Sequence, residues 1–195
     1  MMDCGRRTKM SGLIAFVGDG LTADGRWGDW FPEYEVQNLG VSGETTDDVL
    51  ARFDSIVDLA PDAIVIEIGT NDLGWRRSAE YIVRNIENLM YELRRHLPET
   101  RILVQSVLPR EGDYADTIAD VNRHLWQFAP TQRAAYLDLW PVLADDNNEL
   151  DPGFSEDHLH LTDAGYEAWV DALKPAIQNL FEHPPVTSAI PIQQV

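Results

Sequence analysis

Cysteine is almost absent from this chain: Cys4 is the only one. No internal disulfide can form, and no cysteine-based metal site can be assembled. Basic residues are scarce. Lys and Arg number 15 against 33 Asp and Glu, a formal net charge of −18. That balance argues against nucleic-acid binding and against docking on an anionic membrane, both of which call for a basic face. Long apolar runs are missing too, and none approaches the roughly 18 residues that span a bilayer. Arg6, Arg7 and Lys9 are followed by an apolar run only from Leu13 to Val17, too short for the core of a signal peptide. The chain therefore reads as cytoplasmic. Residues 1–11 read as a loose leader, residues 12–183 as a single domain, and residues 184–195, which carry no charge, as a flexible tail.

What is present is an alternation of two hydrophobic periods. Continuous apolar or β-rich runs at Leu13–Val17, Tyr34–Leu39, Asp62–Ile68, Arg101–Val107 and Ala134–Leu139 read as five strands. Between and after them lie stretches with helical spacing. One is capped by Thr45 or Thr46 and runs to about Ala60, before Pro61. Another runs from Ser78 to about His96, a third from Asp116 to Phe128, and a last from Thr162 to Phe181. Pro175 lies inside the last one and is expected to kink or split it. Trp27–Phe31 has room for a short helix, and Asp145–Glu156 reads as irregular. Strand–helix alternation of this kind predicts an α/β fold, a five-stranded parallel sheet covered on both faces. All the strand-to-helix turns then share one edge, the edge where such sheets bind ligands.

Four segments at that edge carry chemistry. Gly18-Asp19-Gly20 follows the first strand, Ser42-Gly43-Glu44 the second and Gly69-Thr70-Asn71-Asp72 the third. Asp157-His158-Leu159-His160 precedes the last helix. A carboxylate three residues before an imidazole can hold one ring nitrogen while the other faces a pocket, which is the orienter-and-base pair of acyl transfer. Asn71 offers a side-chain N–H₂ group, and Gly43 an unobstructed backbone N–H, as donors to an oxyanion. Taken singly, each segment is an ordinary turn or a surface pair. Asp19 and Asp72 read as structural, each bonding the backbone of its own turn. Trp27, Trp30 and Trp75 either cover the sheet edge or line an acyl or alcohol site. Arg76, Arg77 and Arg110 either are solvated or meet an anionic leaving group.

Together the four segments resemble the SGNH or GDSL-type hydrolases, over about Ile14 to Phe181. The resemblance implies a flavodoxin-like three-layer α/β/α sandwich and hydrolysis of a small-molecule ester with no metal or cofactor. It assigns His160 as base, Asp157 as its orienter, and Gly43, Asn71 and the backbone N–H of residue 20 as the oxyanion hole. It selects His160 over His158. It also exposes a departure, because the family's nucleophilic serine is Gly20 here. Without a side chain there is no acyl acceptor, so the chain is expected to be a nearly inactive esterase. Thr22 and Ser42 are the nearby hydroxyls, and the family pattern gives neither the nucleophile's part. One account is an engineered serine-to-glycine change that holds ligand uncleaved, and the intact remaining blocks favour it. The other is a natural pseudoenzyme that binds acylated ligands. The short loops Leu73–Arg77 and Pro109–Tyr114 favour small acyl groups, acetyl above all, over the thioesterase or lysophospholipase branches of the family. A flavin- or phosphate-binding module of the same fold is poorly supported: there is no P-loop lysine and no GxGxxG spacing, and the only lysines, Lys9 and Lys174, lie away from the strand-end turns.

Overall fold

The computed structural model of the chain describes residues 12–186. The expected leader and most of the expected tail lie outside them. Five parallel strands, β1 (Leu13–Gly18), β2 (Glu35–Gly40), β3 (Ala63–Glu67), β4 (Arg101–Gln105) and β5 (Ala134–Leu137), form one sheet in the order β2-β1-β3-β4-β5. This is the flavodoxin-like order, whose switch point lies between β1 and β3. Successive side chains of a strand point to opposite faces, and the core divides accordingly. Ala15, Val17, Ile64, Ile66, Ile102 and Val104 face one helical layer. It is built from α3 (Thr46–Ala51), α4 (Phe53–Asp58), α5 (Thr70–Gly74), α6 (Ala79–His96) and α7 (Ala115–Phe128). Ile14, Phe16, Ala63, Val65 and Leu103 face the other. That layer holds α1 (Gly20–Ala23), α2 (Trp27–Trp30), α8 (Trp140–Leu143) and α9 (Asp163–Glu182). Among the described residues no helix is long and apolar enough to cross a membrane.

Three local expectations are corrected. The helix expected from Thr45 to Ala60 is two helices, broken at Arg52, whose side chain reaches back to Glu44 and to the Leu39 carbonyl. The cap is Thr45, reciprocally bonded with Asp48. Thr70–Gly74, expected as a bare turn, is a short helix begun by Gly69 at φ +134°, where a Cβ would meet Val107 Cγ2 at 2.9 Å. Pro175 neither splits nor ends α9. It sits on the exposed face, where the carbonyl it leaves unpaired can meet water, while buried Trp169, Leu173, Ile177 and Leu180 pin the helix on both sides.

The register sets up the site. Gly18 at the end of β1 stands level with Gly40 of β2 and Glu67 of β3. The three turns that follow are thereby brought side by side.

Candidate active site

Each turn is fixed by its own residues. Asp19 caps α1, its carboxylate accepting the Leu21 N–H at 3.0 Å. Gly43 holds φ +82°, a conformation that favours glycine. Asp72 is completely buried and accepts from Thr46 N–H at 2.9 Å, Thr46 Oγ1 at 2.7 Å and Arg77 at 2.8 Å. It ties the turn after β3 to the start of α3, a structural part, but across elements and not through the backbone of its own turn as expected. The Asn71 amide donates to the Glu44 carbonyl at 2.8 Å. One of its two N–H groups thus joins the second turn to the third, and the other has no partner among the described residues.

The fourth segment is a closed loop. A short antiparallel bridge between Ser155 and Leu161 shuts it. His158, at φ +58°, turns the chain back. Buried Ser155 accepts the N–H groups of Asp157 and Leu159, and Asp157 Oδ1 accepts those of Leu159 and His160 at 3.0 and 2.8 Å. Asp157 Oδ2 then meets His160 Nδ1 at 2.7 Å. These bonds, led by that from the His160 ring, hold the Asp157 carboxyl well below the usual carboxylate range. With its Nδ1 proton directed at Asp157, His160 keeps Nε2 as a free acceptor. His158 approaches Glu149 instead.

Gly20, Ser42, Gly43, Asn71 and His160 line one shallow cleft of about 60 Å³. Residues far apart in sequence are thus gathered at the switch point, with Asp157 behind His160. A Cβ at Gly20 would meet Ser42 Oγ at 3.3 Å, a close contact that a few tenths of an ångström of movement by the Ser42 hydroxyl would relieve. The tryptophans divide. Trp27 is buried and stacks on Phe16, with ring centroids 4.5 Å apart. Trp30, half-buried, packs on Trp27 and Tyr166, so Trp27 belongs to the core of the α9 layer and Trp30 packs against it. Trp75 is 73% exposed. Arg77 is occupied by Asp72 and Asp47, and Arg110 by Glu111, the Thr70 carbonyl and the Tyr114 ring.

Sequence reasoning missed Glu67. It is fully buried at the end of β3, and neither carboxyl oxygen has a hydrogen-bond partner among the described residues; nor does Asp19 Oδ2. The signal was one acid inside an otherwise apolar strand. Burial pushes Asp19 from its ordinary 3.8 up to about 7, against the bond from Leu21 N–H and with help from the charges of Asp72 and Glu44. Burial first, and the charge of Asp19 second, raise Glu67 well above its ordinary value. A carboxyl whose pKa is raised by folding binds more protons in the folded state. It therefore costs stability as pH climbs from the unfolded pKa through the folded one. Glu67→Gln is accordingly expected to match the parent in acid and to exceed it increasingly as pH rises above the ordinary carboxylate range. The gain should read as a rise of a few degrees in Tm for a chain of this size. Thermal melts at rising pH check it, and a gap that stays constant or narrows with pH would refute it.

Comparison with known proteins bears on what this arrangement does. The model of the GDSL-like lipase/acylhydrolase family matches residues 14–168. Platelet-activating factor acetylhydrolase IB subunit alpha1 from Bos taurus is 26% identical over 178 residues, covering 86% of this chain and 75% of that protein. Two solved structures share the fold. A GDSL-like lipase from Bacteroides thetaiotaomicron has a TM-score of 0.75 at 24% identity, over 86% of this chain and 88% of that one. An acetylxylan esterase from Geobacillus stearothermophilus has a TM-score of 0.71 at 22% identity, over 85% and 94%. The family match takes in the turns after β1, β2 and β3 together with the loop that carries Asp157 and His160, and this chain belongs to the GDSL-like lipase/acylhydrolase family, the esterases and acyl hydrolases built on this sheet.

Proposed function

We propose that the cleft is the active site of a carboxylic-ester hydrolase for short acyl groups, above all acetyl, on small-molecule alcohols, and that Gly20 makes the chain a slow one. The observation that carries this reading is the 2.7 Å bond between His160 Nδ1 and Asp157 Oδ2 in a cleft shared with Gly20, Gly43 and Asn71. With a serine at position 20, that hydroxyl attacks the ester carbonyl and His160 Nε2 takes its proton. Asp157 keeps the ring oriented and stabilises its cation. The N–H groups of residue 20 and Gly43, and the free N–H of Asn71, receive the oxyanion. His160 returns the proton to the departing alcohol and then activates the water that releases the acid. With Gly20, the base and the donors remain, but the family's acyl acceptor is missing.

Acetyl is favoured by the cleft. At about 60 Å³ it is small beside the roughly 300–1,000 Å³ of sites that take drug-sized ligands. A relative named for acetyl hydrolysis points the same way. In the Gly20→Ser chain, kcat/KM on 4-nitrophenyl esters is expected to fall at least about tenfold from acetate to octanoate, since a pocket discriminates by about 1–3 kcal/mol for each methylene it cannot place. A flat or rising series would overturn the acetyl assignment. A folded variant inert to every ester would overturn the hydrolase reading itself.

A further inference from the structure

Thr22, two residues after Gly20, and Ser42, across the turn, have different settings. Thr22 is 2% exposed, and its Oγ1 lies 2.2 Å from where a Cβ on Gly18 would be, so it is packed under the strand end. Ser42 is exposed and lines the cleft together with His160, Asn71 and Gly43. Its Oγ is 3.3 Å, and its Cα 3.5 Å, from the position a Cβ on residue 20 would take. The hydroxyl of a serine at position 20 would lie one C–O bond beyond that Cβ. Ser42 Oγ therefore stands beside the family nucleophile's place, and rotation about a single side-chain torsion moves it through the adjoining space. Gly20 puts no side chain in its way.

We infer that Ser42 is the nucleophile of this chain as it stands, attacking short acyl esters with His160 as its base. The inference rests on the hydrolase reading above. Ser42 Oγ forms the bond to the acyl carbon as its proton passes to His160 Nε2. The bond from the acyl carbon to the alcohol oxygen then breaks, and the alcohol leaves with that proton. Water attacks the Ser42 ester, gives a proton to His160, and the acid departs as Ser42 Oγ recovers its hydrogen. The Gly43 N–H directly follows this nucleophile in the chain, the relation from which acyl-transfer sites commonly draw an oxyanion donor. Asn71 adds a second from the side. The reaction is slower than with a serine at position 20, because Ser42 sits on the flank of the cleft rather than at the end of β1, where the site's groups converge.

The test uses the full chain with Gly20 kept, 4-nitrophenyl acetate as substrate, and acid quenching followed by peptide mass analysis. An acetyl group is expected on the peptide that carries Ser42. Ser42→Ala should remove it and lower turnover at least about tenfold, to the level of His160→Ala, since both strip the same step. Ser42→Cys should restore an acetyl adduct as a thioester, which loss of fold could not do. Turnover unchanged in Ser42→Ala, as expected if His160 drives water directly onto the ester, would overturn the proposal, as would acetyl found on another residue. Gly20→Ser/Ser42→Ala separates the two readings. If it is active and dependent on His160 while the Ser42 arms fail, the hydrolase reading stands and the Ser42 assignment falls.

Discussion

Gly20→Ser is expected to raise kcat/KM on 4-nitrophenyl acetate by about 10⁴- to 10⁶-fold, the cost of losing a triad nucleophile run in reverse. Three features make so large a gain from one hydroxymethyl group reasonable. The backbone at Gly20 stands at the end of β1, level through Gly18 with the ends of β2 and β3, and its conformation is not the left-handed one that a side chain would strain. The added Cβ meets Ser42 Oγ at 3.3 Å, a close contact that rotation of the Ser42 hydroxyl relieves. And the base is already ordered, with His160 held by Asp157 at 2.7 Å. Only the acyl acceptor has to be supplied. If the residual rate passes through Ser42, the gain falls toward the lower end of the range. A gain below about tenfold in a folded variant would mean that the cleft is not short of a nucleophile alone.

In that serine-bearing background, His160→Ala is expected to remove nearly the whole gain, about 10⁴- to 10⁶-fold in kcat with a much smaller change in KM. Nucleophile and base act as one unit, so removing either leaves the oxyanion donors and binding alone, worth roughly 10³–10⁴ over water. Asp157→Asn should cost less, about 10⁴-fold, because it leaves the ring in place while favouring the wrong tautomer. His158→Ala is the discriminating control. His158 lies outside the cleft and faces Glu149, so its loss should leave kcat within about twofold, the range of surface substitutions remote from the site. Equal losses from His158→Ala and His160→Ala would show that the loop, rather than the imidazole, is what matters.

The chain order of the strands and longer helices, and the edge on which the turns fall, were legible in the sequence, and so were the residues of the proposed site, Gly20, Gly43, Asn71, Asp157 and His160. The reason is that periodicity and turn chemistry are local. A run such as Ile64–Ile68 has to be a covered strand wherever it packs, and Asp157 fixes His160 within a single short loop. The breaks were less legible. Arg52 ends a helix that the periodicity carries on to Ala60, because its side chain finds partners on Glu44 and Leu39. Pro175 leaves α9 whole because it lies on the exposed face. Other relations exist only across elements. Glu67 becomes a buried carboxyl beside Asp19 through the pairing of β3 with β1. Trp27 goes to the core while Trp75 stays exposed, although both occupy turns at the same edge. Ser42, a turn residue 22 positions from Gly20, comes within 3.3 Å of the missing side chain's place because β1 and β2 end level. The sequence by itself named the groups of the proposed site. Only the tertiary structure decided that Ser42, rather than Thr22, lines the cleft beside residue 20, because that depends on strand register and side-chain direction.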